Sequence, residues 1–238
     1  MGLSCTAGNW VSMFTRYAIF YTAPPGKLSD FGASWLGWDS RAGTSTPHPK
    51  FPDLDVTRLT TVPRKYGFHG TLKAPFRLAA TETEQDIKDV LGEFAGTQAP
   101  IAIDSLSLSE KHGFLALRPT GETGDLQNFA KRIVTDFDRF RMPATKAELA
   151  RRRKAGLTAR QDHNLLTWGY PYVMEDFQFH MTLSGPLDDV IDAAALTSLG
   201  AGLKPLLPKP FIIDGLALMG QTEDGMFHEI ERALLKGT

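Results

Sequence analysis

The 238-residue chain carries 26 basic and 27 acidic residues, a formal net charge of −1, and is 42% hydrophobic and 22% charged. That balance excludes a global electrostatic pull toward nucleic acid or an anionic membrane, so recognition of any partner has to be local. Cys5 is the only cysteine, which excludes an internal disulfide framework and a cysteine-rich zinc site, and no apolar run reaches the roughly 18 residues that span a bilayer, so a cytoplasmic chain is expected.

Residues 1–14 read as a flexible leader. Met1-Gly-Leu-Ser-Cys-Thr6 matches the N-myristoylation pattern, but that pattern is permissive, and a disordered segment or a true start at Met13 accounts for it as well. Tyr17–Thr22 is aromatic and β-branched and stops at Pro24-Pro25-Gly26, which predicts a buried strand. Leu28–Trp38 places Phe31, Trp35 and Trp38 on one helical face, with Ser29 or Asp30 as the cap. Asp39–Pro63 is rich in Gly, Pro, Ser and Thr and reads as an irregular surface excursion.

It leads into Tyr66-Gly-Phe-His-Gly-Thr-Leu-Lys-Ala-Pro-Phe76, which returns later as Phe177-Gln-Phe-His-Met-Thr-Leu-Ser-Gly-Pro-Leu187. Both copies read Phe-His-x-Thr-Leu-x-x-Pro. On a strand, alternate side chains share a face, so His69 and Thr71 lie together, as do His180 and Thr182, opposite an apolar face. A single His-x-Thr would be an ordinary half-buried strand residue pair; a duplicated one with its flanking Phe, Leu and Pro is a candidate site.

After the first copy, Thr81–Ala95 has Ile87, Val90, Leu91 and Phe94 at helical spacing. Ile101–Leu108 and Gly113–Arg118 suggest a hairpin, and Gly124–Phe140 a further helix ended by Met142-Pro143. The basic stretch Arg139–Arg160 is either a solvated helix face or a cationic rim for a phosphorylated substrate. Trp168-Gly-Tyr-Pro-Tyr-Val173 is an aromatic turn that either packs in the core or supports a base or sugar. Beyond the second copy come a helix over about Asp188–Leu199 and strands Pro210–Met219 and Met226–Leu235. Motif strand, helix and hairpin thus occur twice, once in about 15–122 and once in about 123–238, as in a duplicated unit with a cleft between lobes.

Two facing imidazoles near neutral pH can serve as general base and general acid in phosphoryl displacement, while two hydroxyls donate hydrogen bonds to the non-bridging oxygens; this scheme needs no metal and no cofactor. Phe-His-Gly-Thr-Leu at 68–72 and Phe-His-Met-Thr-Leu at 179–183 resemble the paired motifs of the two-histidine (2H) phosphoesterase superfamily. Arg-Tyr-Ala-Ile-Phe-Tyr at 16–21, the 65–76 segment and the 168–173 turn resemble its branch encoded with phosphonate-degradation genes. The resemblance implies an α+β, bilobal, pseudo-symmetric fold in which two mostly antiparallel sheets face a central groove with helices outside. It also implies metal-independent phosphodiester chemistry at His69, Thr71, His180 and Thr182, and for the branch a cyclic ribose phosphate substrate, with RNA or nucleotide 2′,3′-cyclic phosphates as the alternative. The segment between Met142 and Trp168 is longer than a minimal member needs.

The candidates for substrate contact are Lys73, Tyr66, Arg160 and Tyr170. Lys73 stands two residues beyond Thr71 and in an unbroken strand shares its face, where it would bind a second phosphate or else snorkel to water; Arg160 would do the same or cap a helix end. The expected partner is a small phosphorylated molecule, with nucleic acid the lesser alternative and no membrane. A non-catalytic phosphate or RNA-binding module is the competing class, although a binder would need only cations rather than two complete His-x-Thr pairs. No Gly-x-Ser-x-Gly elbow, phosphate-binding loop ending in Lys-Ser/Thr or His-Glu-x-x-His helix is present.

Overall fold

A computed structural model describes residues 14–51, 54–187 and 193–237. The expected leader, but for its last residue, and the first turn of the expected 188–199 helix lie outside the described residues. The strands in chain order are β1 (Arg16–Thr22), β2 (Trp38–Asp39), β3 (Thr44–Ser45), β4 (His69–Phe76), β5 (Ile101–Ile103), β6 (Ser105–Lys111), β7 (Phe114–Thr120), β8 (Met181–Thr182), β9 (Phe211–Ile213), β10 (Gly215–Gln221) and β11 (Phe227–Leu234). The helices are α1 (Lys27–Leu36), α2 (Val56–Thr60), α3 (Glu84–Thr97), α4 (Gly124–Asp136), α5 (Lys146–Arg153), α6 (Ala159–Trp168) and α7 (Ala193–Leu203).

The fold is α+β, built on an antiparallel sheet. Its strand order is β11-β10-β1-β4-β8-β7-β6. The two expected sheets are therefore joined: β4 and β8, the motif strands, meet edge to edge through Gly70 and Met181. Each would otherwise present an open row of N–H and C=O groups. Gly70 and Met181 occupy the same place in the two motif copies, and so do Ala102 and Ile212, which pair where β5 meets β9. A pseudo-two-fold axis thus runs through both junctions, and Pro-Ile-Ala-Ile-Asp104 and Pro-Phe-Ile-Ile-Asp214 are a second repeated segment.

The hairpins are exchanged across this axis. β10 and β11, from the second half of the sequence, flank β1 and β4, whereas β6 and β7, from the first half, flank β8. The halves divided near residue 122 describe the repeat, not the spatial lobes. β1 is buried on both faces: Tyr17, Ile19 and Tyr21 join Ile87 and Leu91 of α3 and Leu126 and Ile133 of α4 in the main core. Ala18 and Phe20 form a smaller cluster on the opposite, groove-side face with Ala217, Met219 and Phe227.

Local chemistry moves some boundaries. The cap of α1 is Gly26, not Ser29 or Asp30; the Ser29 hydroxyl instead accepts the Gly26 N–H at 3.0 Å. Gly37 adopts a left-handed conformation (φ 72°) that ends α1 and sends Trp38 into β2, where its indole N–H donates to the Phe227 carbonyl at 2.9 Å. The 39–63 excursion holds a two-stranded turn, β2 with β3, and α2, capped by Asp55. Residues 101–108 and 210–219 each break at their aspartate into two strands. The β6–β7 hairpin closes through His112 and Gly113, both at positive φ (59° and 74°), as a two-residue turn between Lys111 and Phe114 requires.

Candidate active site

β4 and β8 bring His69, Thr71, His180 and Thr182 to the walls of one groove of about 360 Å³. The two histidines are oriented alike. The Nδ1 of His69 lies 2.9 Å from the Gly67 carbonyl and that of His180 lies 2.8 Å from the Gln178 carbonyl. Gly67 and Gln178 each stand two residues before their histidine, so the same local turn recurs in both copies. A carbonyl only accepts, so each Nδ1 carries the proton and each Nε2 is left for the groove. At His69 the Thr71 hydroxyl then donates to Nε2 over 3.0 Å.

The rings are held from behind by aromatics. Phe20 of β1 stacks on His69 with centroids 3.9 Å apart and planes 25° apart, and Phe114 of β7 lies 5.5 Å from the His180 ring. Burial pushes the His69 pKa down to about 4, with the nearby His180 adding to the depression and the Gly67 hydrogen bond offsetting part of it. His180 is lowered too, first by burial and then by Arg118 and His112, against the Gln178 hydrogen bond. Both imidazoles are therefore neutral at pH 7 when the groove is empty, and His69 is the more strongly depressed.

Tyr66 and Tyr170 both line the groove. Tyr66 stacks on Phe227 (5.2 Å) and stands 5.8 Å from His69, and Tyr170 packs edge-on against Tyr172. The 168–173 turn is set by Asn164 of α6, whose buried amide donates to the Pro171 and Val173 carbonyls.

Lys73 and Arg160 lie elsewhere. Opposite β1, Phe20 pairs with Thr71 but Ile19 pairs with Lys73, so β4 bulges by one residue and Lys73 is turned to the helix side. There it is buried, donating to the Val134 carbonyl at 3.0 Å and lying 3.4 Å from Asp138. Arg160 is exposed and grips Asp176 with two hydrogen bonds of 2.7 and 3.0 Å, outside the groove. Neither residue meets a ligand in the groove, and the shared-face expectation for Lys73 fails on the bulge. Lys73→Met is expected to lower Tm by roughly 2–8 °C through loss of these two contacts. It should leave discrimination between singly and doubly phosphorylated substrates intact. A fully stable variant with lost discrimination would return Lys73 to the groove.

Sequence reasoning missed Phe20, His112, Phe114 and Arg16, and reached Arg152 only as one charge of the basic stretch; all five line the groove. Arg16 and Phe20 carry a readable signal, since they stand four apart on a strand and so share a face with each other.

A family model described as "Protein of unknown function (DUF1045)" matches residues 71–228. Two curated proteins, each named ribose 1,5-bisphosphate phosphokinase PhnN, are similar in sequence. That of Janthinobacterium sp. (strain Marseille) is 40% identical over 73% of this chain, and that of Laribacter hongkongensis (strain HLHK9) is 31% identical over 88% of it. The chain spans only 39% and 49% of the length of these relatives. Among solved structures, TT0787 of Thermus thermophilus overlaps 93% of this chain and 98% of its own at 11% identity and a TM-score of 0.43. LigT of E. coli complexed with NADP+ overlaps 94% and 99% at 13% identity and 0.42.

Proposed function

We propose that this chain, which belongs to the DUF1045 family of proteins of unknown function, is a phosphodiesterase of the two-histidine type that opens a cyclic phosphodiester, its substrate a cyclic ribose phosphate. One observation carries this reading: two pseudo-symmetric histidines, each with Nδ1 tied to the carbonyl two residues back, turn their Nε2 atoms to one groove beside a threonine hydroxyl apiece.

In the reaction, water attacks phosphorus and gives its proton to Nε2 of His69, which is neutral above a pKa of about 4. The ring P–O bond on the opposite side breaks, and the departing sugar oxygen takes a proton from Nε2 of His180. The product is a phosphomonoester, and the net change is the addition of one water. The Thr71 and Thr182 hydroxyls donate to the non-bridging oxygens, where charge builds in the transition state. Thr71 exchanges its bond to His69 for one to substrate as the ring takes up its proton. Assigning His69 as base follows from its deeper depression; His180, nearer the ordinary value, holds a proton more readily beside a bound phosphate anion.

The names of the curated relatives support the sugar. Those longer proteins are named for a kinase acting on a phosphorylated ribose, while the present chain has no phosphate-binding loop ending in Lys-Ser/Thr. The chain spans less than half of each of them, and a segment similar to part of a protein named for a phosphorylated ribose would act on a related ribose phosphate.

A panel of 1,2-cyclic ribose phosphates, 2′,3′-cyclic nucleotides and linear diesters, assayed with EDTA present, tests the proposal; turnover of none of them would overturn it. On the best substrate, kcat/KM should peak between about pH 4 and 6.5. The acid limb is protonation of His69 near its pKa of about 4, and the alkaline limb is deprotonation of His180, whose pKa lies below 6.5. A profile still rising at pH 8 would remove the base and acid assignment.

A further inference from the structure

Two arginines stand on the wall of the groove away from the histidines. Arg16 opens β1 and Arg152 lies in the last turn of α5; both line the groove, and both also line a smaller adjoining cavity of about 50 Å³. Elsewhere in the basic stretch Arg141 pairs with Asp138, Arg153 with Asp162 and Arg160 with Asp176, while Arg151, exposed and without an ion pair among the described residues, lines the smaller cavity but not the groove. Arg16 and Arg152 form no ion pair among the described residues. The Arg16 Nε donates to the Gln221 side-chain oxygen at 2.6 Å, and the Arg152 guanidinium lies 4.7 Å from the centre of the Tyr170 ring. Glu148, the carboxylate that shares the adjoining cavity, is taken by Arg77 at 3.0 Å and by the Thr145 N–H at 2.7 Å.

Two half-buried guanidiniums on one wall repel each other, Arg151 adds to the repulsion, and Glu148, already held by Arg77 and Thr145, offsets only part of it, while burial weakens the hydration that would offset the rest. An anion with several acceptor oxygens resolves the conflict, since each guanidinium offers a planar fork of donors. The spacing says where it sits. Arg16, Ala18 and Phe20 share one face of β1, Phe20 stacks on His69, and four strand residues span about 13 Å. With its guanidinium on Gln221, its register partner on β10, Arg16 holds its charge at that end of the groove, apart from the histidines.

We infer that Arg16 and Arg152 form a second anion subsite that takes a terminal phosphomonoester on the same molecule whose cyclic phosphodiester lies between His69 and His180. The substrate class is thus a cyclic sugar phosphate bearing a further phosphate, which rests on the phosphodiesterase reading above. Tyr66 and Tyr170 line the wall beside the arginines, where they meet the sugar.

The test compares a 2′,3′-cyclic nucleoside monophosphate with the same compound carrying a 5′-phosphate. The wild-type chain should prefer the doubly phosphorylated compound in kcat/KM. Arg152→Gln and Arg16→Gln should each cut that preference roughly tenfold or more, chiefly through KM, whereas Arg153→Gln, its partner Asp162 lying outside the groove, should keep it. An unchanged preference in both groove variants, or none in the wild type, would overturn the subsite. Titration calorimetry with ribose 5-phosphate separates this from the chemistry. Binding by wild type and by His69→Ala that is weakened in Arg152→Gln supports the subsite even if no compound is turned over, in which case the phosphodiesterase reading alone falls. Binding equal in Arg152→Gln and wild type sinks the subsite whatever the turnover.

Discussion

Replacing His69 or His180 by Ala is expected to lower kcat on a cyclic phosphodiester by roughly 10²–10⁴-fold, the usual worth of a positioned acid or base. The expectation rests on each Nε2 being the groove-side nitrogen, because each Nδ1 is spent on a backbone carbonyl. Both rings are only partly buried, at the groove wall, so Tm should move little beside the change in rate, which circular dichroism on the same preparations would check. The double variant should lose less than the product of the single losses, since either histidine alone leaves a proton transfer undone. Thr71→Ala and Thr182→Ala should cost less, each removing one hydrogen bond to an oxygen that keeps other partners. Wild-type rates in both histidine variants would mean that the groove does other chemistry.

Gly70→Val is the second expected large effect. A Cβ at Gly70 would come within 2.4 Å of the Phe179 ring, and Phe179 is buried at the apolar side of the second motif. The glycine is therefore what lets the second motif lie against the first at the Gly70–Met181 pair. Overpacking of this kind costs about 1–3 kcal/mol, and here the displacement falls between the two histidines, so stability and kcat should drop together. Gly70→Val combined with Phe179→Leu should recover much of both, because the smaller side chain vacates the contested space. If Gly70→Val alone melted and turned over like wild type, the motif junction would not be what sets the distance between the imidazoles.

Much of this was legible in the sequence because period-two and helical spacing dominate where elements are long. β1, β4, α3, α4 and the β6–β7 hairpin follow from apolar patterning, and the His-x-Thr pairs from their repetition. What escaped was set by tertiary context. The bulge that turns Lys73 away is visible only in the pairing of Ile19 and Phe20 with β4. The hairpin exchange depends on which edge each strand finds, about which local propensity says nothing. Arg16 looked like an ordinary strand start and Arg152 like one more charge in a run; that these two cations line the groove depends on where β1 and α5 pack, which no local spacing records.

The exchange of hairpins also bears on how the chain comes to be folded on the ribosome. Arg16 bonds to Gln221, 205 residues away, and β1 lies between β4 and β10, so β1 waits for a strand made that much later. Until β10 and β11 have emerged, Ala18 and Phe20 are uncovered and β1 keeps an open edge, a template for pairing with another nascent chain. Contacts this distant form only after a large loop closes, which slows folding without weakening the finished sheet. Truncation just before residue 215 should thus leave a sticky, incomplete sheet rather than a smaller folded lobe.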